Sequence, residues 1–180
     1  MDDLPLISVV IPVYNDLDRL RECLKGLSLQ DDPAYEVIVA DDASTQGDHA
    51  AICRVFGARY LPLETNGGPG VARAKAVPLA KGEILAFTDS DCVPPPGWLS
   101  RIRANLSEPG VVATAGTYEK DLSGTFISAQ RFLEARFHHL RERMLVSSFI
   151  GANFAVRREA YERAGGFPPL RLSEDLLLGY

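Results

Sequence analysis

Apolar residues in this chain fall into short unbroken runs, separated by stretches with helical spacing. Leu6 to Val13 (LISVVIPV) is continuously apolar, as expected of a strand buried on both faces. Glu36 to Ala40, Ala58 to Leu63, Glu83 to Thr88 and Val111 to Thr117 repeat the signal. Between them, Leu17 to Leu29 places Leu20, Leu24 and Leu27 at helical spacing. Gly47 to Phe56, Gly70 to Ala80 and Pro95 to Leu106 also read as helices, the last with prolines at or before its first turn. Strands alternating with helices predict an α/β fold with a largely parallel central sheet flanked by helices.

The rhythm changes near residue 118. Phe126 to Val146 reads as one long helix, with Phe126, Leu133, Phe137, Leu140 and Met144 on one side and Arg131, Arg136 and Arg143 largely elsewhere. Phe149 to Val156 reads as a strand, and Arg158 to Ala164 as a short helix stopped by Gly165-Gly166. The chain then ends at Tyr180, inside what reads as the start of another helix, so a truncated domain is expected. One domain accounts for all 180 residues, with residues 1–117 as its first half and 118–180 as an incomplete second half.

Composition narrows the function classes. The chain is 46% hydrophobic and 24% charged, an ordinary folded composition. A net charge of −5 gives no basis for nucleic-acid binding. Residues 1–130 carry 11 basic and 18 acidic side chains, residues 131–180 carry 8 and 6. The basic second part suits either a solvated helix face or the rim of an anionic ligand or membrane, so peripheral membrane association is one expectation for the 126–146 helix. Cys23, Cys53 and Cys92 form neither a disulfide framework nor a zinc spacing, and no signal peptide or bilayer-length apolar run is present; a cytoplasmic location is expected.

Ligands of parallel α/β sheets bind at the carboxyl ends of strands. The first strand there ends in Pro12-Val13-Tyr14-Asn15, the second in Asp41-Asp42-Ala43-Ser44 and the fourth in Asp89-Ser90-Asp91. Unpaired acids gathered at one sheet edge repel one another, and a cation or donor groups on a ligand would explain them. Asp89 and Asp91 supply hard oxygens suited to Mg²⁺ or Mn²⁺; a turn or helix cap is the alternative. Asp41 and Asp42 either accept from a base or ribose or form an Asx-turn with Ser44. Asn66 to Ala74 is a Gly-rich loop entering a helix, read as an anion cradle or as a turn with a cap. Gly151-Ala152-Asn153 either lines a pocket or bends the chain. Ser173-Glu174-Asp175 is either a helix N-terminus or the source of a general base. His138-His139 sits on different faces of one helix, which argues against a metal pair. Trp98 reads as packing, and Cys92 as a passive thiol.

Seven segments, in this order, resemble family-2 glycosyltransferases of the GT-A fold: SVVIPVYN, ADDAS, NGGPGVARA, GEILAFTDSD, GAN, GGF and SED. Each is weak alone; the ordered set spans nearly the whole chain. The resemblance implies an inverting transfer of a sugar from a nucleoside-diphosphate donor, with uridine diphosphate the expected carrier, to a saccharide or lipid-linked acceptor. It implies a nucleotide pocket floored by Pro12, Tyr14 and Asn15, a base contact at Asp42 flanked by Asp41, and Arg73 near the nucleotide or diphosphate. Asp89, Ser90 and Asp91 become the diphosphate and Mg²⁺ or Mn²⁺ site, and Asp175 the general base. Cys92 departs from the pattern, since many members carry a third acid there. A sugar nucleotidyltransferase is disfavoured because its Gly-rich loop should follow the first strand, and a dinucleotide oxidoreductase because that strand lacks G-x-G-x-x-G. An inactive fragment that only binds nucleotide sugar is the non-enzymatic alternative.

Overall fold

The computed structural model describes residues 4–116 and 152–167. Within them run β1 (Ile7–Val13), α1 (Leu17–Ser28), β2 (Tyr35–Asp41), α2 (His49–Val55), β3 (Arg59–Pro62) and α3 (Pro69–Ala76), which continues as one 3₁₀ turn, Val77–Leu79. Then follow β4 (Ile84–Thr88), α4 (Trp98–Leu106), β5 (Ala113–Ala115), β6 (Asn153–Arg157) and α5 (Arg158–Arg163). The strands form a six-stranded sheet in the order β3-β2-β1-β4-β6-β5. β1, β2, β3 and β4 are parallel, and β6 runs antiparallel between β4 and β5. The expected mostly parallel, helix-flanked sheet is therefore present. The expected helix over 126–146, residues 149–151 of the last expected strand, and Ser173-Glu174-Asp175 lie outside the described residues.

Each face of the sheet carries its own core. On one face Ile7, Val9, Ile11 and Val13 of β1 meet Leu20, Leu24 and Leu27 of α1 and Leu99, Ile102 and Leu106 of α4. The leucines of α1 recur every three or four residues, so one helical stripe is buried while Arg19, Arg21 and Lys25 stay exposed. Burying each such leucine contributes about 1.5–3 kcal/mol. The opposite face packs Ala72 and Ala76 of α3 against β1, β2 and β4, and adds an aromatic cluster of Phe87, Phe154, Tyr161 and Phe167. Small alanines let α3 approach the sheet closely. Pro62 is tolerated because β3 is an edge strand.

β1 is the switch point. Its chain neighbour β2 lies on one side, and β4 lies on the other. Pairing of β1 with β4 runs from Ile7↔Ile84 only to Val10↔Phe87, whereas pairing with β2 continues to Val13↔Asp41. Beyond Val10 the two strands part. Pro12 sits in that stretch. Val13 O accepts from Asp42 N at 2.8 Å, so Val13 faces β2 and the alternation turns the edge of Pro12 toward the departed β4. Its missing N–H therefore costs no ladder bond, which is how a proline fits inside a central strand.

Candidate functional site

A cavity of about 220 Å³ opens where β1 and β4 diverge. Pro12, Val13, Tyr14 and Asp16 line it from β1 and the turn after it, Asp42 from the end of β2, Pro69 from the start of α3, and Asp89, Ser90 and Asp91 from the end of β4. Three strand ends converge on one crevice, the usual ligand position in such sheets. Tyr14 is 50% exposed, leaving an aromatic face open to the cavity.

Asp42 is 3% exposed, and each of its carboxylate oxygens accepts one N–H from the Gly-rich loop. Gly67 N–H donates to Oδ1 at 2.8 Å and Gly68 N–H to Oδ2 at 2.7 Å. Asn66 Nδ2 donates to the Asp42 carbonyl at 3.1 Å. Gly68 has φ +89°, where a side chain would be strained, and so turns the loop into α3. The loop was expected to offer its N–H groups to an anion; two of them are already given to Asp42, and Pro69 has none.

Asp41 takes the turn alternative. It is 3% exposed and is not among the residues that line the cavity. Its Oδ1 accepts from Ser44 N at 2.8 Å, its Oδ2 accepts from the Tyr60 hydroxyl at 2.7 Å, and His49 Nδ1 lies 3.5 Å from Oδ2. Burial and this bond to a carboxylate push the Tyr60 phenol well above its ordinary value. Asp41 thus braces the turn after β2 from within. Asn15 is a second brace. At φ +52°, its N–H donates to Ser44 Oγ at 2.8 Å, and its Oδ1 accepts from Thr45 N at 2.8 Å and Gln46 N at 3.1 Å. It ties the β1 turn to the β2 turn and does not line the cavity.

Arg73, expected near the nucleotide or diphosphate, is 2% exposed; its Nη2 donates to Oδ1 of Asp89, which lines the cavity, and its guanidinium carbon lies 5.7 Å from the centre of the Phe167 ring. Asp89 and Asp91 differ accordingly: the Asp89 side chain is 37% exposed and held by Arg73, while that of Asp91 is 52% exposed. The turn between them rests on cysteines. Cys23 Sγ lies 3.6 Å from the Asp89 carbonyl, and Cys92 Sγ lies 3.7 Å from Asp91 Oδ1. Burial, then the nearby carboxylates, push the Cys92 thiol up to about 12, so it is neutral at physiological pH.

Asp16 is a site residue that the sequence reading missed. It precedes α1 as an N-cap, but its side chain makes no capping bond and faces the cavity instead. Arg19 reaches both Asp16, at 3.5 Å, and Asp91, at 3.9 Å. Only the position of Asp16 after a strand end could have marked it, and cap chemistry gives the same signal. Asn153 accepts from the Trp98 indole N–H at 2.9 Å, which fixes the β4–β6 end against α4. Among the described residues, no three His, Cys, Asp or Glu side chains gather closely enough to hold a metal by themselves. The two hard carboxylates Asp89 and Asp91 nevertheless suit a divalent cation that shares its remaining positions with ligand oxygens and water.

The sequence profile of glycosyl transferase family 2 matches residues 8–165. The chain belongs to this family. A glycosyltransferase of Haloferax volcanii, AglE, is 32% identical over 173 residues, covering 92% of this chain and 57% of its own length. Among solved structures, a mannosyltransferase of Pyrobaculum calidifontis, determined with GDP-Man and Mn²⁺, superposes with a TM-score of 0.76 at 26% identity. That similarity covers 98% of this chain and 51% of the mannosyltransferase. Residues 1–349 of S. aureus TarS, determined with UDP-GlcNAc, give a TM-score of 0.78 at 26% identity over 97% of this chain and 52% of theirs. The chain thus spans about half the length of these relatives. The residues that line the crevice between β1 and β4 fall within the matched segment. Among the described residues no helix is long and apolar enough to cross a membrane.

Proposed function

We propose that this glycosyltransferase chain binds a nucleoside-diphosphate sugar with a divalent cation and transfers the sugar, with inversion, to a hydroxyl of a saccharide or lipid-linked acceptor. The observation that carries the reading is the lining of the crevice: Asp16, Asp42, Asp89 and Asp91 share it with the exposed ring of Tyr14. Arg19 and Arg73 offset part of the charge of these four acids, and a cation entering with the diphosphate would offset the rest. Mg²⁺ or Mn²⁺ held by Asp91, with Asp89 beside it, supplies charge neutralisation for the departing diphosphate.

The remaining roles belong to the chain. Tyr14 stacks on the base, and Asp42 accepts from the base edge with lone pairs that the loop leaves over. Pro12 and Ser90 close the walls. Asp175, outside the described residues, takes the proton from the acceptor hydroxyl. The hydroxyl oxygen attacks the anomeric carbon as the bond to the diphosphate oxygen breaks. The products are the glycoside and the nucleoside diphosphate. Such a base contributes roughly 10²- to 10⁴-fold. The GDP-Man and UDP-GlcNAc complexes of the two similar structures support a nucleotide-sugar donor with either base.

Calorimetric titration of UDP into the chain, with and without Mn²⁺, tests the reading, with GDP and TDP following if UDP fails. Metal-dependent binding that disappears in Asp91→Ala supports it. Failure of all three nucleotides to bind in either condition would sink it.

A further inference from the structure

We propose that Phe167 is a positioning residue for the Asp-x-Asp wall: its ring carries the Arg73 guanidinium that grips Asp89. Phe167 closes the Gly165-Gly166-Phe167 segment at the end of the family match. It is 5% exposed and packs edge-on against Phe87, with centroids 5.0 Å apart, and against Tyr161 at 5.8 Å. Its own N–H donates to the Tyr161 hydroxyl at 3.0 Å. Gly165 and Gly166, at φ +85° and +71°, make the reversal that brings the chain back from α5. A Cβ on Gly166 would sit 3.0 Å from the Tyr161 hydroxyl oxygen, so the bond that seats Phe167 depends on a glycine there. The ring is therefore fixed at its backbone and at its edges.

A buried guanidinium is costly unless its charge is compensated and its plane is held. Asp89 compensates the charge at one end of Arg73. The Phe167 ring lies under its carbon at 5.7 Å, where a cation gains from the ring's quadrupole, more so out of water. α3 supplies Arg73, β4 supplies Asp89, and the residues after α5 supply the platform. Asp89 thereby keeps one oxygen turned to Arg73 and its remaining face toward the cavity, beside Asp91. The alternative is that Phe167 only fills the aromatic core, a role that Phe87 shares.

The test compares Phe167→Met, which keeps volume but removes the ring face, with Phe167→Tyr, which restores the face, and with Phe87→Met, which removes a neighbouring ring not stacked on Arg73. Each full chain is treated with phenylglyoxal below its unfolding temperature, and modification of Arg73 is followed by peptide mass spectrometry. Mn²⁺-dependent UDP binding is measured in parallel, a readout that rests on the proposed donor site. In Phe167→Met, Arg73 should react faster and Mn²⁺-dependent binding should weaken, each by roughly tenfold. Phe167→Tyr and Phe87→Met should stay near the unsubstituted chain in both. Equal labelling of Arg73 in Phe167→Met and Phe87→Met, or continued protection in Phe167→Met, overturns the proposal. Selective labelling in Phe167→Met of a chain that binds no nucleotide would instead uphold the positioning of Arg73 and reject the donor site.

Discussion

Gly68 N–H and Asp42 Oδ2 meet at 2.7 Å, and this contact joins the end of β2 to the N-cap residue of α3 across 26 residues of chain. The acid that faces the crevice thus also holds the loop that leads into the helix behind it. Asp42→Asn turns one acceptor into a donor facing an N–H group and leaves a buried polar pair unmet. Thermal or urea unfolding should show a loss of about 1–3 kcal/mol, and nucleotide binding should fall in the same variant. An unchanged midpoint would mean that the loop holds itself.

Asp91 behaves differently because its side chain is half exposed and does not hold up the fold. Asp91→Asn should leave the unfolding midpoint within about 0.5 kcal/mol while abolishing the Mn²⁺ dependence of UDP binding. Chelation of the metal should reproduce the loss in the unsubstituted chain. Loss of stability together with binding would place Asp91 in the scaffold instead.

Asp32 and Arg103 give the fold an acid-sensitive clip far from the crevice. Arg103 Nε donates to Asp32 Oδ2 at 2.7 Å and its Nη2 donates to Oδ1 at 2.9 Å, at a carboxylate that is nearly buried. These bonds hold the Asp32 carboxyl below the ordinary carboxylate range. A lowered folded value means that the clip contributes fully above the ordinary aspartate value of about 4 and is lost as pH falls through the lower one. Melting temperature followed downward from pH 6 should fall below pH 4, with a shallower fall in Asp32→Asn. Parallel curves for the two proteins would remove the clip from the account.

The Cys92 thiol, pushed up to about 12, should resist alkylation. Iodoacetamide at pH 8, with mass-spectrometric readout, should modify native Cys92 far more slowly than the same residue in urea. Fast native labelling would mean that the Asp-x-Asp turn opens readily.

Much of this was legible in the residues. Continuous apolar runs such as Leu6 to Val13 announced buried parallel strands, and β1 lies within one residue of that span. The acids after β2 and β4 were found because strand ends are where parallel sheets bind ligands. What the pattern could not tell was direction. Asp41 and Asp42 are adjacent, yet Asp41 turns inward to Tyr60 and Ser44 while Asp42 lines the crevice. That choice is made by the positive φ of Ala43 and by partners distant in sequence. Arg73 was placed in the right neighbourhood, but its grip on Asp89, 16 residues away, and the Phe167 ring from another element leave no mark in a local pattern. Asp16 was hidden behind cap chemistry, which asks for the same residue type.

The crevice has walls from β1, β2 and β4, three segments that meet only when the central sheet is assembled. A molecule seated there clamps the seam where β1 leaves β4, and it can bind no state in which that seam has come apart. Occupancy should therefore slow amide exchange deep in β1, at Val9 and Val10, as well as around the rim. The parting of two strands, relaxed enough to admit a proline, makes the crevice a sensor of whether the whole sheet is closed.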